Sequence, residues 1–414
     1  MSKPAVGVVG FDEALRIVLA HAAALPAPAT EVLSLLDCND RVLAEPVLAD
    51  RDQPPFNRST RDGFAVRAAN FGSGSLKIAG QVRAGEQWQG AALQPGAAIQ
   101  IMTGAPIPEG ADAVVMVEHV EQVDGAIRPI GGRTIRSGEN IVPRGSEARK
   151  GDTVLPVGVL LKGAEIALAA ACGRPTLRVS RKPTVAIVAT GDELVEVDAT
   201  PDLQQIRNSN SYGLASLVTQ AGGDAVRLPI APDRRPELEQ IIRVGRRSHL
   251  MLLSGGVSMG EYDLVEEVLH SLGAEFFFTG VMMQPGKPVV FGRLPAANGH
   301  PAQFFFGLPG NPVSTQVTFH CFVEPLVHAM AGGAVQGPHF AQAALAEDAK
   351  GKPNLMQILP ARLALDRVRP TVKLIPWQGS GDLAANARAN CYAVLPPEIE
   401  HFGAGDVITI LLRE

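Results

Sequence analysis

The chain has 414 residues, 46% of them hydrophobic and 19% charged, with a net charge of −5. That length accommodates two to four domains, and the lack of a basic excess argues against DNA or RNA as a partner. No apolar run reaches the roughly 18 residues of a membrane span, so no membrane partner is expected. Asp12, Glu13 and Arg16 break up any signal-peptide core, which predicts a mature chain starting near Met1. Cys38, Cys172, Cys321 and Cys391 are dispersed, with no C-x-x-C pair and no histidine at ligand spacing. That pattern predicts reduced, mostly buried thiols in a cytoplasmic protein and no zinc or iron–sulfur site.

Between Phe11 and Leu25 the residues Leu15, Val18, Leu19 and Ala22 share one helical face, with Asp12 expected as N-cap and Pro26 and Pro28 as terminators. A second helix is expected over Glu31–Leu36, followed by an extended run into PPFNRSTRDGFAV. There Asp62-Gly63 is a turn signal between β-prone flanks. Asp62 is either turn chemistry alone or a loop-tip carboxylate able to hold Mg²⁺ or act as a general base. From Lys77 to Ile130, short runs such as LKIAGQV, AIQIMTG and AIRPI predict a small inserted β domain. Its TGAPIPEGAD loop offers the Thr103 hydroxyl, which by itself reads as a turn residue. Arg133, Arg136, Arg144, Arg149 and Lys150 then form a cationic stretch, read as a solvated face or a ligand site. A helix over Ala164–Ala171 and the strand TLRVS lead into the centre of the chain.

From Pro183 to Met330 short apolar runs (TVAIVAT, AVRLPIA, HLMLLSGG) alternate with helical patterns over Tyr212–Gln220, Pro236–Arg246 and Leu264–Leu272. Such alternation predicts βαβ crossovers and a parallel sheet buried on both faces, with ligands beyond the strands' carboxyl ends. Four loops are expected on that edge: ATGDE (Ala189 to Glu193), SGGVSMGEYD (Ser254 to Asp263), QPGKP (Gln284 to Pro288) and LPGNPVS (Leu308 to Ser314). In the last, Asn311 can cap a helix starting at Pro312, and the turn's free N–H groups would favour an oxyanion. In SGGVSMG, two glycines permit close backbone approach and two serines can donate. Each loop could also be a plain strand-to-helix turn; four together favour a site. Past Gly332 the helical signal stops, and QAALAE, LMQILPARLAL, TVKLIPW, CYAVLP and DVITILL predict a small all-β domain. GSGD at Gly379 to Asp382 is a tight turn or a lip over a pocket.

The segments STRDGFAV, IMTGAPIPEGADAVV, NIVPRGSEARKGD, VATGDEL, SGGVSMGEYD, PGKP, LPGNPVS and GSGDLAANARANCYAVLP together resemble the molybdopterin molybdenumtransferase (MoeA) family, which includes the gephyrin E domain. They follow the family's order and span essentially the whole chain. The resemblance implies a multidomain α/β plus β protein. Its parts would be a discontinuous helical domain I (1–53 and 143–178), an inserted β domain II (54–142), a molybdopterin-binding α/β domain III (179–331) and a C-terminal β-barrel domain IV (332–414). It further implies an elongated homodimer with the active site between domain III of one subunit and domain II of the other. Adenylylated molybdopterin, molybdate and Mg²⁺ would be used, AMP released and molybdenum cofactor formed, with a molybdopterin adenylyltransferase as possible donor.

Carried over residue by residue, Asp62, Glu193 and Asp263 are the expected catalytic and metal-binding groups. Thr103, Arg144, Asp233, Ser254, Gly255, Gly256, Ser258, Lys287, Pro309, Asn311, Pro312, Ser314 and Ser380 are the expected substrate contacts. The chain departs from the family where NIVPRGSE keeps only Arg144 of several arginines and has Glu147 for an Asp, and where Gly280 and Gln284 replace lysines. Each lost cation should weaken anion binding by roughly 1 to 3 kcal/mol. Arg61, where Met is usual, could restore one; Arg61→Met should then raise the molybdate concentration needed for half-maximal activity. Two other readings stay open: the adenylyltransferase that makes the adenylate, and a non-catalytic molybdopterin-binding scaffold.

Overall fold

The structure is a computed structural model that describes residues 7–256, 264–297 and 299–413. Helix α1 (Phe11–Ala23) starts from Gly10, which makes no side-chain cap bond. Asp12 is therefore not the N-cap expected of it; it lies in the first turn, where its charge meets the positive end of the helix dipole. Phe11, Ala14, Val18 and Ala22, at helical spacing, are buried.

The segment expected to form a second helix is instead strand β1 (Thr30–Ser34), followed by a short 3-10 turn over Leu35–Cys38. A long-range partner, the strand Thr176–Ser180, decides this.

Six strands build the inserted β unit: β2 (Gly63–Val66), β3 (Leu76–Val82), β4 (Ala97–Ile101), β5 (Ala113–Met116), β6 (Val120–Val123) and β7 (Ala126–Pro129). Their order is β5-β2-β4-β3-β7-β6. The chain then returns to the first unit through α2 (Gly163–Ala171) and β8 (Thr176–Ser180). Strand β8 pairs antiparallel with β1 in the register Val179↔Glu31. Cross-strand pairing with residues far along the chain overrides the local helical pattern of Glu31–Leu36.

The central unit runs β9 (Thr184–Ala189), α3 (Ser209–Gln220), β10 (Asp224–Arg227), α4 (Arg235–Gly245), β11 (Leu250–Ser254), α5 (Leu264–Ser271), β12 (Glu275–Phe278), β13 (Val290–Leu294) and β14 (Gln303–Leu308). Helix α6 (Pro312–Thr318) continues through a π-helical turn at Phe319–Val323 into α7 (Glu324–Met330). Sheet order is β10-β9-β11-β14-β13-β12. The first four are parallel, as the βαβ pattern requires, whereas β13 and β12 add to the edge antiparallel. Alternate residues of β9 and β11 point to opposite faces. Val185, Ile187, Leu250 and Leu252 enter one core with α3, α6 and α7, while Ala186, Val188, Met251 and Leu253 enter the other with α4 and α5. Helix α1 joins the first of these cores, its Phe11 ring 5.5 Å from that of Phe322. Although it is first in sequence, α1 is thus a layer of the α/β unit.

The C-terminal unit has β15 (Phe340–Leu345), β16 (Met356–Ala364), β17 (Thr371–Leu374), α8 (Leu383–Arg388), β18 (Cys391–Leu395) and β19 (Val407–Leu412). The order β16-β17-β15-β19-β18, with β18 pairing back to β16, closes a five-stranded barrel. Helix α8 is an addition to the all-β expectation. Asp382 caps it by accepting from the Ala385 N–H at 2.9 Å.

Among the described residues no helix is long and apolar enough to cross a membrane. All four cysteines are free and buried, and burial pushes the Cys391 thiol up to about 11.

Candidate active site

Strand order reverses at β9: the chain passes from β9 to β10 on one side, then to β11 on the other. The loops after β9 and β11 diverge there, which opens a crevice at the carboxyl edge of the sheet. A cleft of about 650 Å³ occupies that position, walled by Thr190, Gly191 and Glu193 after β9 and by Ser254, Gly255 and Gly256 after β11. Asp233, after β10, and Pro309, Asn311 and Pro312, after β14, complete the sheet side. QPGKP reaches the same edge for a different reason. It enters β13, which runs antiparallel to β14, so its amino end meets the carboxyl end of β14 in the register Val290↔Gly307.

A smaller compartment of about 220 Å³ adjoins the cleft and shares Pro288, Pro309 and Asn311 with it. It is lined by Lys287, Ser314 and, from the C-terminal unit, Ser380. The turn holding Ser380 is fixed to the start of α6 by the Val313 N–H donating to the Ser380 carbonyl at 2.9 Å. Asn386 of α8 donates to Gln316 of α6 at 2.8 Å. Asn311 sits at the N-cap position, but its side chain makes no cap bond, and Pro312 occupies the first turn as expected. The Thr315 hydroxyl instead donates to the Pro309 and Asn311 carbonyls at 2.6 and 3.0 Å. Asn311 therefore keeps its amide for the cleft.

The glycine pair after β11 is required sterically. Gly255 has φ +94° and a Cβ there would lie 2.5 Å from the Thr190 carbonyl oxygen; Gly256 has φ +63°, with a Cβ 2.8 Å from the Thr190 hydroxyl. Only glycine lets the two loops touch this closely. Asn210, at the start of α3, ties the loops together by donating to the Ser254 hydroxyl at 3.0 Å and to the Gly310 carbonyl at 2.7 Å.

The cleft has an acidic corner. Burial, first, and then the Asp192 and Glu193 carboxylates raise the Asp233 carboxyl above its ordinary value. Asp192 also accepts the Asp233 backbone N–H at 3.1 Å. Hard oxygen donors with mutual repulsion suit a divalent cation, whose charge would relieve that repulsion. Glu193 and Asp233 are the described residues that fit one, although no group of three metal-type ligands occurs among the described residues. Ser258 and Asp263 lie outside the described residues.

Asp62 and Thr103 form a second, separate cluster in the inserted β unit. Asp62 accepts the Thr103 backbone N–H at 2.7 Å and its hydroxyl at 2.8 Å, and these two bonds hold the carboxyl below its usual range. Neither residue lines the cleft in the same chain. Nor does Arg144, whose guanidinium pairs with Asp52 at 2.8 Å on an exposed face.

Arg207, Asn208 and Asn210 also line the cleft, together with Thr190 of the ATGDE loop, and none of the four was an expected site residue. The signal was present: R-N-S-N just ahead of a helical pattern is a cap motif at a strand-to-helix turn.

Three family descriptions match consecutive parts of the chain: "MoeA N-terminal region (domain I and II)" over residues 9–173, "Probable molybdopterin binding domain" over 186–329 and "MoeA C-terminal region (domain IV)" over 342–412. A molybdopterin molybdenumtransferase of Nostoc sp. is 35% identical over 92% of this chain and 88% of its own. One from Haemophilus influenzae is 34% identical over 93% and 95%. A crystal structure of the molybdopterin biosynthesis MoeA protein of Pyrococcus horikoshii OT3 covers 98% of this chain and 100% of its own, with 26% identity and a TM-score of 0.77. With matched relatives above 30% identity over nine-tenths of its length, the chain belongs to the molybdopterin molybdenumtransferase (MoeA) family.

Proposed function

We propose that this protein is the molybdenumtransferase its family is named for. It takes molybdate and adenylylated molybdopterin, inserts molybdenum into the dithiolene, and releases AMP. The observation that supports this best is the pairing of two unlike compartments at one sheet edge. The smaller has one lysine, two serine hydroxyls and the first turn of α6, a donor-rich set of the right size for a tetrahedral oxyanion. The larger has room for a pterin or nucleotide and carries Glu193 and Asp233.

Glu193 and Asp233, with Asp263, would hold Mg²⁺, which supplies charge neutralisation at the phosphoanhydride when bound. Lys287 would orient the oxyanion, and the Gly255–Gly256 backbone would admit the substrate against the sheet edge. Asp62, ionised and fixed by Thr103, is suited to a base or metal-ligand role but belongs to the other unit. A shared site in a homodimer, in which a second copy supplies Asp62, accounts for that separation. The division into units 1–53 with 143–178, 54–142, 179–331 and 332–414 is part of this reading, with the amendment that α1 packs in the α/β core. A cytoplasmic location and an adenylyltransferase donor belong to it as well.

The test is to mix the purified protein with molybdopterin adenylate, Mg²⁺ and molybdate and follow AMP. Molybdate-dependent release is the expected result. Tight adenylate binding without release would point to a scaffold and reject the transferase.

A further inference from the structure

We propose that the first turn of α3, with Arg207 and Asn208 leading into it and Thr190 beside it in the cleft, binds the phosphate group of the substrate. The proposal rests on the transferase reading and names the part of the substrate that this corner holds.

Two deeply buried residues with donor groups line this one cleft. Asn208 is 1% exposed, and its side-chain oxygen accepts the Ser211 N–H at 3.2 Å as the N-cap of α3. That bond settles the amide's orientation: the oxygen is committed to the helix, and the Nδ2 group must be the end left to donate. Nδ2 is buried and has no partner among the described residues. Thr190 is 3% exposed, and its hydroxyl likewise lacks a partner among them. Buried donors are almost always bonded in folded proteins, so two such atoms lining the same cleft mark a place where a ligand's acceptors belong.

The surroundings choose the class of acceptor. Arg207 is anchored by its Nε donating to the Ala199 carbonyl at 3.1 Å, with a full positive charge at the cleft wall. Helix α3 directs its free N–H groups and positive dipole end to the same place, and at twelve residues it is long enough for that dipole to develop. The Asn208 Nδ2 group, the guanidinium and the helix terminus can only donate, and the Thr190 hydroxyl can donate beside them. A heterocycle edge needs both kinds of partner, whereas phosphate needs donors alone. Glu193 and Asp233 in the same cleft would repel a phosphate, so its binding should depend on a divalent cation between them.

Asn208→Asp and Asn208→Ser both keep an oxygen for the Ser211 N–H and both remove the amide donor, so they separate the cap from the ligand contact. AMP is titrated calorimetrically into the full-length protein with Mg²⁺ present, with adenosine as the control. We expect AMP affinity to fall about tenfold or more in both variants, further in the Asp than in the Ser variant, with adenosine affinity unchanged. Thr190→Val should lower AMP affinity in the same direction, and the melting temperatures should stay near that of the parent. Equal AMP affinity in the parent and the variants, or a parent that does not distinguish AMP from adenosine, overturns the proposal. If AMP binds as expected but the parent shows no molybdate-dependent AMP release, the transferase reading falls and the phosphate site stands. If Asn208→Asp releases AMP with the parent's rate and half-saturation, the phosphate site falls and the transferase reading stands.

Discussion

Asp62 accepts two bonds from one residue, and those bonds make its charge insensitive to pH near neutrality. A carboxyl whose value is depressed stays ionised above its lowered pKa and loses its role only as pH falls through it. Removing the hydroxyl with Thr103→Val deletes one of the two bonds that depress it, so the acid limb of kcat/KM should move to higher pH. A limb that stays put would mean that Asp62 is not the group it reports. Asp62→Ala should still bind adenylate while turnover drops by roughly 10²- to 10⁴-fold, the usual range for a lost acid or base. Asp233 has the opposite sign. Its raised value means that ionisation disfavours the fold, so its contribution is favourable at low pH and lost as pH rises through the folded-state value. Asp233→Asn should therefore melt higher than the parent at pH 7, with the difference vanishing below the ordinary Asp value of 3.8. Mg²⁺ should raise the melting temperature of the parent more than that of the variant. At this scale the sequence was partly legible. Glu193 and Lys287 stand in recognisable loops and Asp233 came from the family resemblance, whereas Asn210 acts through bonds to Ser254 and to Gly310, 100 residues away, which no local pattern encodes.

Helix α1 illustrates how an element can be legible while the elements it packs against are not. Its apolar face was plain from spacing, but spacing does not say what that face meets. It meets α7 and Phe322, so Phe11→Ala should destabilise the α/β unit, by about 3 to 5 kcal/mol for loss of a buried phenylalanine, and lower the first thermal transition. An unchanged transition would mean that α1 is not part of that core. The alternation of β9, α3, β10, α4, β11 and α5 was legible because each strand is buried on both faces and each helix on one. Two readings of element type failed for physical reasons. The helix expected over Glu31–Leu36 gives way to the strand Thr30–Ser34 because Thr176–Ser180 pairs with it, and a partner so distant leaves no trace in the local pattern. Helix α8 was hidden because LAANAR is too short for a periodic signal, although Asp382 gave its cap.

At the scale of the whole molecule, the absence of Asp62 and Thr103 from the cleft lining of their own chain has a measurable outcome. If two copies share each site, mixing Asp62→Ala with Lys287→Ala should restore activity that neither has alone. Half of the dimers would be mixed, each with one sound site, for about a quarter of the parent activity. No recovery on mixing, with dimers present by light scattering, would refute sharing.

The stitch between Ser380 and the first turn of α6 reaches beyond the residues it joins. The smaller compartment is a seam between the barrel and the α/β unit, with one wall contributed from either side. On the transferase reading, its capacity to retain a small, strongly hydrated anion would depend on how tightly that seam is closed. On that reading, a chain cut ahead of the barrel would keep the sheet-edge groove and its room for a heterocycle, yet lose one wall of the compartment proposed for the metal-bearing anion.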